Sequence, residues 1–174
     1  MNTIVKGNIE AVDQLTCCIE NLKNIDYSAP HPSLLSSSIG QHLRHVIDYY
    51  QALRQAAHTG TADYDVRHRG GAVENSQAEG LKALRDLRLW LTSIGESELK
   101  KCCIMKTEML LSKPVSVEVK TTMARELCFA ALHLTHHQAM IAALIRSQGG
   151  EVHASVGLAP ATASFVRLTE GHGT

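Results

Sequence analysis

The stretch ALHLTHHQAMIAALI, residues 131–145, decides the fold because it predicts a buried helix that carries three imidazoles. His133, His136 and His137 fall within five consecutive positions of this otherwise apolar segment. Core-facing helical stripes rarely contain so many histidines, since each ring brings polar nitrogens that need partners. Other segments of the chain must therefore supply those partners.

Helical geometry separates the three rings. His133 and His137 are four residues apart, so they project about 40° from each other on one face and can both reach one cation. His136 lies about 100° from His137 and points partly away. A histidine pair at this spacing is half of a divalent-metal site, although the motif HExxH is absent. Because catalytic zinc usually takes three protein ligands and a water molecule, a third ligand must come from another segment.

A second histidine pair occurs in SIGQHLRHVIDYY, residues 38–50. His42 and His45 are three residues apart and lie close to one face of the predicted helix. The apolar stripe of that helix places His42 nearer the core and His45 further round, beside Asp48 and Tyr49. Periodicity alone therefore slightly favours His42 as the third ligand.

A metal-free explanation has to be weighed against a metal site. A single histidine on an apolar face is more often a hydrogen-bonded core residue than a ligand. Burying four imidazoles without a metal, however, would leave several polar nitrogens unsatisfied, each at a cost of about 1–3 kcal/mol. Two histidine pairs on two helices therefore favour a metal site, with a metal-free hydrogen-bonded core as the alternative.

Three further features can support such a site. Glu126 lies seven residues before His133 on nearly the same face but about 10.5 Å along the axis, so it can orient a bound group or form an ion pair. Asp48 can accept a hydrogen bond from a ligand histidine or be a solvated aspartate of the helix face. The two arginines in the loop of residues 63–74 can bind a carboxylate or thiol-linked substrate or, as we favour, lock the connection by salt bridges.

The helical pattern extends over most of the chain. We predict four helices, a β-hairpin between the third and the fourth, and an irregular tail that follows a glycine pair. The helices are expected over about residues 3–23, from the serine run 36–38 to 60, from 75 or 76 to 94, and over 121–147, with the tail over residues 151–174. Long amphipathic helices with one small strand pair are typical of a helix bundle. We therefore predict an all-α four-helix bundle in a single domain over residues 1–174.

Composition indicates an ordinary globular protein. Of the 174 residues, 44% are hydrophobic and 20% charged, with 17 Lys and Arg against 17 Asp and Glu. This balance gives no electrostatic reason to expect nucleic acid or a membrane as a partner. The N-terminus does not resemble a signal peptide, and no run approaches the roughly 20 apolar residues of a membrane span. The five cysteines are odd in number and lack CxxC spacing, which predicts structural thiols in a reduced, cytoplasmic protein.

Taken together, these features resemble the DinB-like superfamily, which is named for bacterial damage-inducible proteins. The resemblance covers nearly the whole chain and rests on the helix order, the long second connection, and the segments SIGQHLRHVIDYY (38–50) and HLTHHQAMIAAL (133–144). The segment YDVRHRG (64–70) followed by Glu74, and GLAPAT (157–162), resemble one bacterial branch of it.

The resemblance implies a four-helix bundle, often a homodimer, in which three histidines hold a divalent ion, typically zinc or nickel. By position these ligands are His45, His133 and His137, so the resemblance favours His45 where periodicity favoured His42. The additional candidates for the site are His42, His136, Asp48 and Glu126.

Some members of the superfamily transfer small thiols such as mycothiol or bacillithiol, or act on maleylpyruvate. Their shared chemistry is a metal that lowers the pKa of a bound thiol or water. The resemblance therefore implies a metal-dependent small-thiol transferase or hydrolase. The alternative, from a different class, is a non-catalytic metal-binding or stress-response module, since fold and site transfer within a family more readily than the reaction.

Overall fold

The computed structural model describes residues 1–31 and 34–170, and this part of the chain is mostly helical with a small three-stranded sheet. The elements in chain order are α1 (Thr3–Glu20), α2 (Ile39–Thr59), β1 (Thr61–Asp63), α3 (Ala72–Asn75), α4 (Gln77–Ser93), α5 (Glu96–Leu99), β2 (Cys102–Glu108), β3 (Ser116–Thr122), α6 (Met123–Ser147) and α7 (Pro160–Glu170). The four predicted helices correspond to α1, α2, α4 and α6, with ends that differ by a few residues.

Local side-chain chemistry sets the ends of α2. Its first turn carries a capping box, in which Ser38 accepts from the backbone N–H of Gln41 and the Gln41 side chain accepts from the backbone N–H of Ser38. Gly60 ends the helix with a φ of 81°, a left-handed conformation that glycine adopts without strain, and its N–H donates to the carbonyl of Ala56. These two ends fix the register that places the histidines of α2.

The long helices share one hydrophobic core, and α1 and α2 each pack against both α4 and α6. A buried polar contact joins three of them, because Tyr50 Oη donates to Asn8 Oδ1 at 2.6 Å and Asn8 Nδ2 donates to the carbonyl of Leu127 at 3.1 Å. The fully buried aliphatic side chains include Leu15, Ile19, Leu43, Leu53, Leu84, Leu91, Leu127, Leu134 and Ile141.

The predicted hairpin is present, and a third strand extends it. β2 and β3 pair antiparallel with Cys102 opposite Thr122, and β1 pairs parallel to β2 with Thr61 opposite Ile104. β1 was not predicted, because three residues are too few to show the period-two pattern of a strand. β3 runs directly into α6, whose N-cap is Thr122. The sheet therefore lies at the N-terminal end of α6.

The prediction of an irregular tail is wrong for Pro160–Glu170, which form α7. Proline is favoured in the first helical position, and the N–H of Ala163 donates to the carbonyl of Ala159 at 2.9 Å. Small residues dominate the first half of this helix, and its large apolar residues, Phe165, Val166 and Leu168, all lie in the second half, so the apolar pattern is short. Residues 171–174 of the predicted tail lie outside the described residues.

By length and composition alone, α6 could cross a membrane, although 44% of its most apolar window is buried inside the protein. This is weak evidence for a span, because the core helix of a globular protein has the same properties. α6 packs against both α1 and α2 and carries three histidines.

All five cysteines lie among the described residues and are free thiols.

Candidate metal centre

Three histidines from two helices meet at the margin of the core. His45 lies on α2, and His133 and His137 lie one turn apart on α6. One ring nitrogen from each residue can be chosen so that the three atoms all lie within 4.8 Å of one another. The ring centroids are 5.0 Å apart for His45 and His133, 4.8 Å for His45 and His137, and 4.6 Å for the pair on α6. The structure thus brings together the two segments on which the sequence argument depended.

The spacing of one pair of these nitrogens fits a tetrahedral cation. His133 Nε2 and His45 Nε2 lie 3.1 Å apart. Zinc–nitrogen bonds of 2.0–2.1 Å at tetrahedral angles place two ligand nitrogens about 3.3 Å apart. A tetrahedral ion held by these three nitrogens alone would keep a fourth position without a protein ligand, as catalytic rather than structural zinc sites do.

Burial keeps the three rings neutral, the form in which histidine binds a metal. It lowers the pKa of His45 and of His133 from 6.5 to about 4, with further lowering by Arg67, and His136 lowers that of His133 as well. The pKa of His137 falls to about 2, first through burial and then through the surrounding histidines. At neutral pH the rings therefore present unprotonated nitrogens without first having to lose a proton.

His42 does not join this cluster but contacts one of its members. It is 6% exposed, and its Nδ1 lies 2.9 Å from Nδ1 of His137, while its Nε2 lies 2.8 Å from Ser37 Oγ. If His137 binds a metal through Nε2, its Nδ1 carries the proton and donates it to His42. His42 then donates from Nε2 to Ser37. His42 thus occupies the position of a residue that fixes the tautomer of a ligand.

Asp48 has neither of its two predicted roles. It is 4% exposed, so it is not a solvated aspartate, and it does not contact a ligand histidine. Its carboxylate accepts from Arg44 Nη1 at 2.9 Å and contacts His68 Nδ1 at 2.7 Å. Arg44 also donates from Nε to Glu74 at 2.7 Å. These contacts fasten the loop between β1 and α3 against α2.

The loop arginines do not lock this connection. Arg67 and Arg69 form no ion pair with any described residue. The expectation that salt bridges from these arginines hold the loop is therefore wrong. Arg44, which belongs to α2, fastens the loop instead. It forms an ion pair with Glu74, the last residue of the loop of residues 63–74.

Glu126 forms the ion pair that was one of its two predicted roles. It is fully buried, and Arg125 Nη1 donates to its Oε1 at 2.6 Å. Thr121 Oγ1 donates to the same oxygen at 2.8 Å, and Tyr64 Oη donates to Oε2 at 2.5 Å. Burial and this carboxylate both raise the pKa of the Tyr64 phenol. Glu126 thus has three donors and does not belong to the histidine cluster.

A cavity of about 320 Å³ opens beside His45 and His133. Its wall includes Tyr49, which stacks on Tyr64 with ring centroids 3.9 Å apart, and Phe129. Sequence reasoning did not propose these aromatic residues as part of the site. Helical spacing could have indicated two of them, because Tyr49 lies four residues after His45 and Phe129 lies four before His133.

His136, the remaining histidine of the 131–145 segment, is exposed and packs edge-on against His137.

The fold and the cluster define a mostly helical protein with three core histidines that are arranged to accept a divalent cation. The model of the DinB family matches residues 1–161, and the chain belongs to that family. No curated protein and no solved structure matches the chain. The resemblance drawn from the two histidine segments is therefore confirmed at the level of the family.

Proposed function

We propose that this DinB-family chain binds one divalent metal ion, Zn²⁺ or Ni²⁺, through His45, His133 and His137 and uses it in the transfer of a small thiol or in hydrolysis. The observation that carries the proposal is the meeting of three neutral imidazoles from two helices beside a cavity. A tetrahedral ion held by these three ligands would keep one coordination position open. An open position is what separates a catalytic zinc site from a structural one.

When bound, such an ion supplies Lewis acidity and lowers the pKa of a coordinated thiol or water. The chain itself supplies the orientation of the ligands and the shape of the cavity. With a metal on Nε2 of His137, the His42–Ser37 pair would hold His137 in one tautomer, and Tyr49 and Phe129 supply an aromatic wall to the cavity. Glu126 is fully paired with its three donors, so it holds Tyr64 in place and is not a free base.

The four-helix bundle is also part of this proposal. Packing of α1 and α2 against both α4 and α6 around one hydrophobic core supports it. In this architecture, metal sites lie between facing helices. The histidines of α2 and α6 occupy such a position.

Metal content tests the site. We expect wild-type protein purified without added metal, and then titrated with zinc, to bind about one ion per chain. His133→Ala and His137→Ala should lose most of this binding. His136→Ala is a matched control, because the same change on the same helix removes an exposed imidazole. Equal, substoichiometric metal in all four proteins would contradict the proposal.

A further inference from the structure

Arg67 is a half-buried cation without a hydrogen-bond or ion-pair partner among the described residues. It lies in the loop between β1 and α3 and is half-buried, and its Nη1 is buried without a hydrogen bond to any described residue. Burial is the largest influence on its guanidinium and lowers its pKa, while Asp48 and Asp65 attract it only through space. A buried guanidinium nitrogen without an acceptor is costly, and native structures seldom retain one without a function.

The nearby carboxylates are already engaged by other donors. Asp48 accepts from Arg44 and from the backbone N–H of His68, and Asp65 accepts from the backbone N–H of Glu108 and from Ser116 Oγ. Glu126, which also lines the cavity, accepts from Arg125, Thr121 and Tyr64. These carboxylates therefore have donors other than Arg67, and none of them forms a hydrogen bond with it.

Arg67 lines the same cavity as two members of the histidine cluster. Arg67, His45 and His133 all contribute to its wall, together with the aromatic rings of Tyr49 and Phe129. Its volume of about 320 Å³ is at the lower end of the range for small-molecule sites. A ligand that fills it would contact the arginine, the aromatic rings and the histidines at once.

The charge in this cavity favours an anion. Among the residues that line the cavity, Arg125 is paired with Glu126, whereas Arg67 forms no ion pair with a described residue and is attracted by Asp48 and Asp65 only through space. Arg67 therefore adds a positive charge to the wall of the cavity. A divalent ion would add to that charge. One guanidinium fork matches one carboxylate in a bidentate contact, and the neighbouring aromatic surface suits an apolar body.

We propose that Arg67 binds the carboxylate of a small organic acid whose apolar body lies against Tyr49 and Phe129 and whose other end reaches the histidine cluster. The contact between the other end of the acid and the histidine cluster rests on the proposed metal site. The contact between the carboxylate and Arg67 depends only on Arg67 and the cavity. This contact also identifies the substrate class as organic carboxylates of limited size.

Calorimetric titration with phenylacetate tests the contact, with phenylacetamide and phenyl phosphate as comparison ligands. Each is added to zinc-loaded and to metal-free protein. We expect wild type to bind phenylacetate more tightly than phenylacetamide, and Arg67→Gln to bind it about 10- to 100-fold more weakly. Arg69→Gln is the matched control, because it removes the same charge from an exposed position in the same loop and should leave the affinity unchanged.

Melting temperature without ligand provides a second readout. Since Arg67 forms no hydrogen bond or ion pair with any residue that the structure describes, Arg67→Gln should melt at the same temperature as wild type or higher. A lower melting temperature would show that Arg67 stabilises the fold and would overturn the proposal. So would an absence of phenylacetate binding to wild type, an equal loss in both arginine variants, or tighter binding of phenyl phosphate than of phenylacetate.

The two proposals fail separately. If zinc does not bind but metal-free wild type still binds phenylacetate in an Arg67-dependent manner, the metal site is wrong and the carboxylate contact stands. If wild type and Arg67→Gln bind zinc equally and also bind phenylacetate with the same affinity, the metal site stands and the carboxylate contact is wrong.

Discussion

His133 Nε2 lies 3.1 Å from His45 Nε2, although the two residues are 88 positions apart in the chain. Both rings are neutral, so each has only one nitrogen with a free lone pair. Without a metal, one of these two nitrogens must carry a proton for the contact to be favourable. With a metal, both lone pairs can point to the same ion.

Zinc should therefore stabilise the folded chain. An ion that binds only the folded state raises the free energy of unfolding by about 2.7 kcal/mol at a concentration 100 times its Kd. We expect added zinc to raise the melting temperature of wild type and a chelator to reverse the shift. His45→Ala should show little shift. An equal shift in His45→Ala and wild type would place the stabilising ion elsewhere.

His42 should affect metal affinity without binding the metal. Replacing it with phenylalanine removes the acceptor for Nδ1–H of His137, and loss of such a support typically weakens metal binding about 10- to 100-fold. Competition with a chromophoric chelator measures this change. Long-range proton–nitrogen NMR spectra should show the Nδ1–H tautomer of His137 in zinc-loaded wild type. Unchanged affinity in His42→Phe, or an Nε2–H tautomer of His137, would contradict this role.

Acidification should destabilise the metal-free protein. The pKa values of His45 and His133 are about 4 in the folded chain, whereas an unfolded histidine titrates near 6.5. Between these values the unfolded chain binds more protons than the folded chain, so stability falls as the pH is lowered through this window. Melting temperatures of the metal-free protein at about pH 7 and pH 5 measure the effect.

The double variant His45→Phe/His133→Phe is the comparison for this pH dependence. It lacks both depressed imidazoles and should lose less stability on acidification than wild type. An equally steep pH dependence in both proteins would assign the effect to other groups.

The ion pairs of Arg44 should be important for stability. Arg44→Met leaves the nearly buried carboxylates of Asp48 and Glu74 without their cation, and loss of one partner of a buried ion pair typically costs about 3–5 kcal/mol. Urea unfolding measures this loss. Arg88→Met is the control, since its pair with Asp13 is about half exposed and should contribute far less. Similar losses in both variants would contradict the role assigned to the loop contacts.

The sequence was sufficient for the long helices and for the segments that meet at the site. Apolar spacing located α1, α2, α4 and α6, and the four-residue interval identified His133 and His137 as a pair. Periodicity favoured His42 over His45, and it ranked their burial correctly, since His42 is buried and His45 is half-buried. The argument from periodicity treated the more buried ring, His42, as the better ligand. The less buried ring, His45, is the one that lines the cavity.

Contacts between distant segments could not be predicted in this way. The burial of Asp48 depends on the loop that brings His68 against it, and the unpaired state of Arg67 depends on which carboxylates the fold engages elsewhere. Spacing along one helix carries no information about either. The three-residue strand β1 was missed for a related reason, because its pairing with β2 is also a long-range contact.

Anomalous diffraction at the zinc absorption edge, from crystals of the zinc-loaded protein, tests the central claim most directly. We predict one strong peak bonded to nitrogens of His45, His133 and His137 at about 2.0–2.1 Å, with a fourth position that faces the cavity and carries no protein ligand. A peak on other residues, or His42 as a fourth protein ligand at the same ion, would contradict the account.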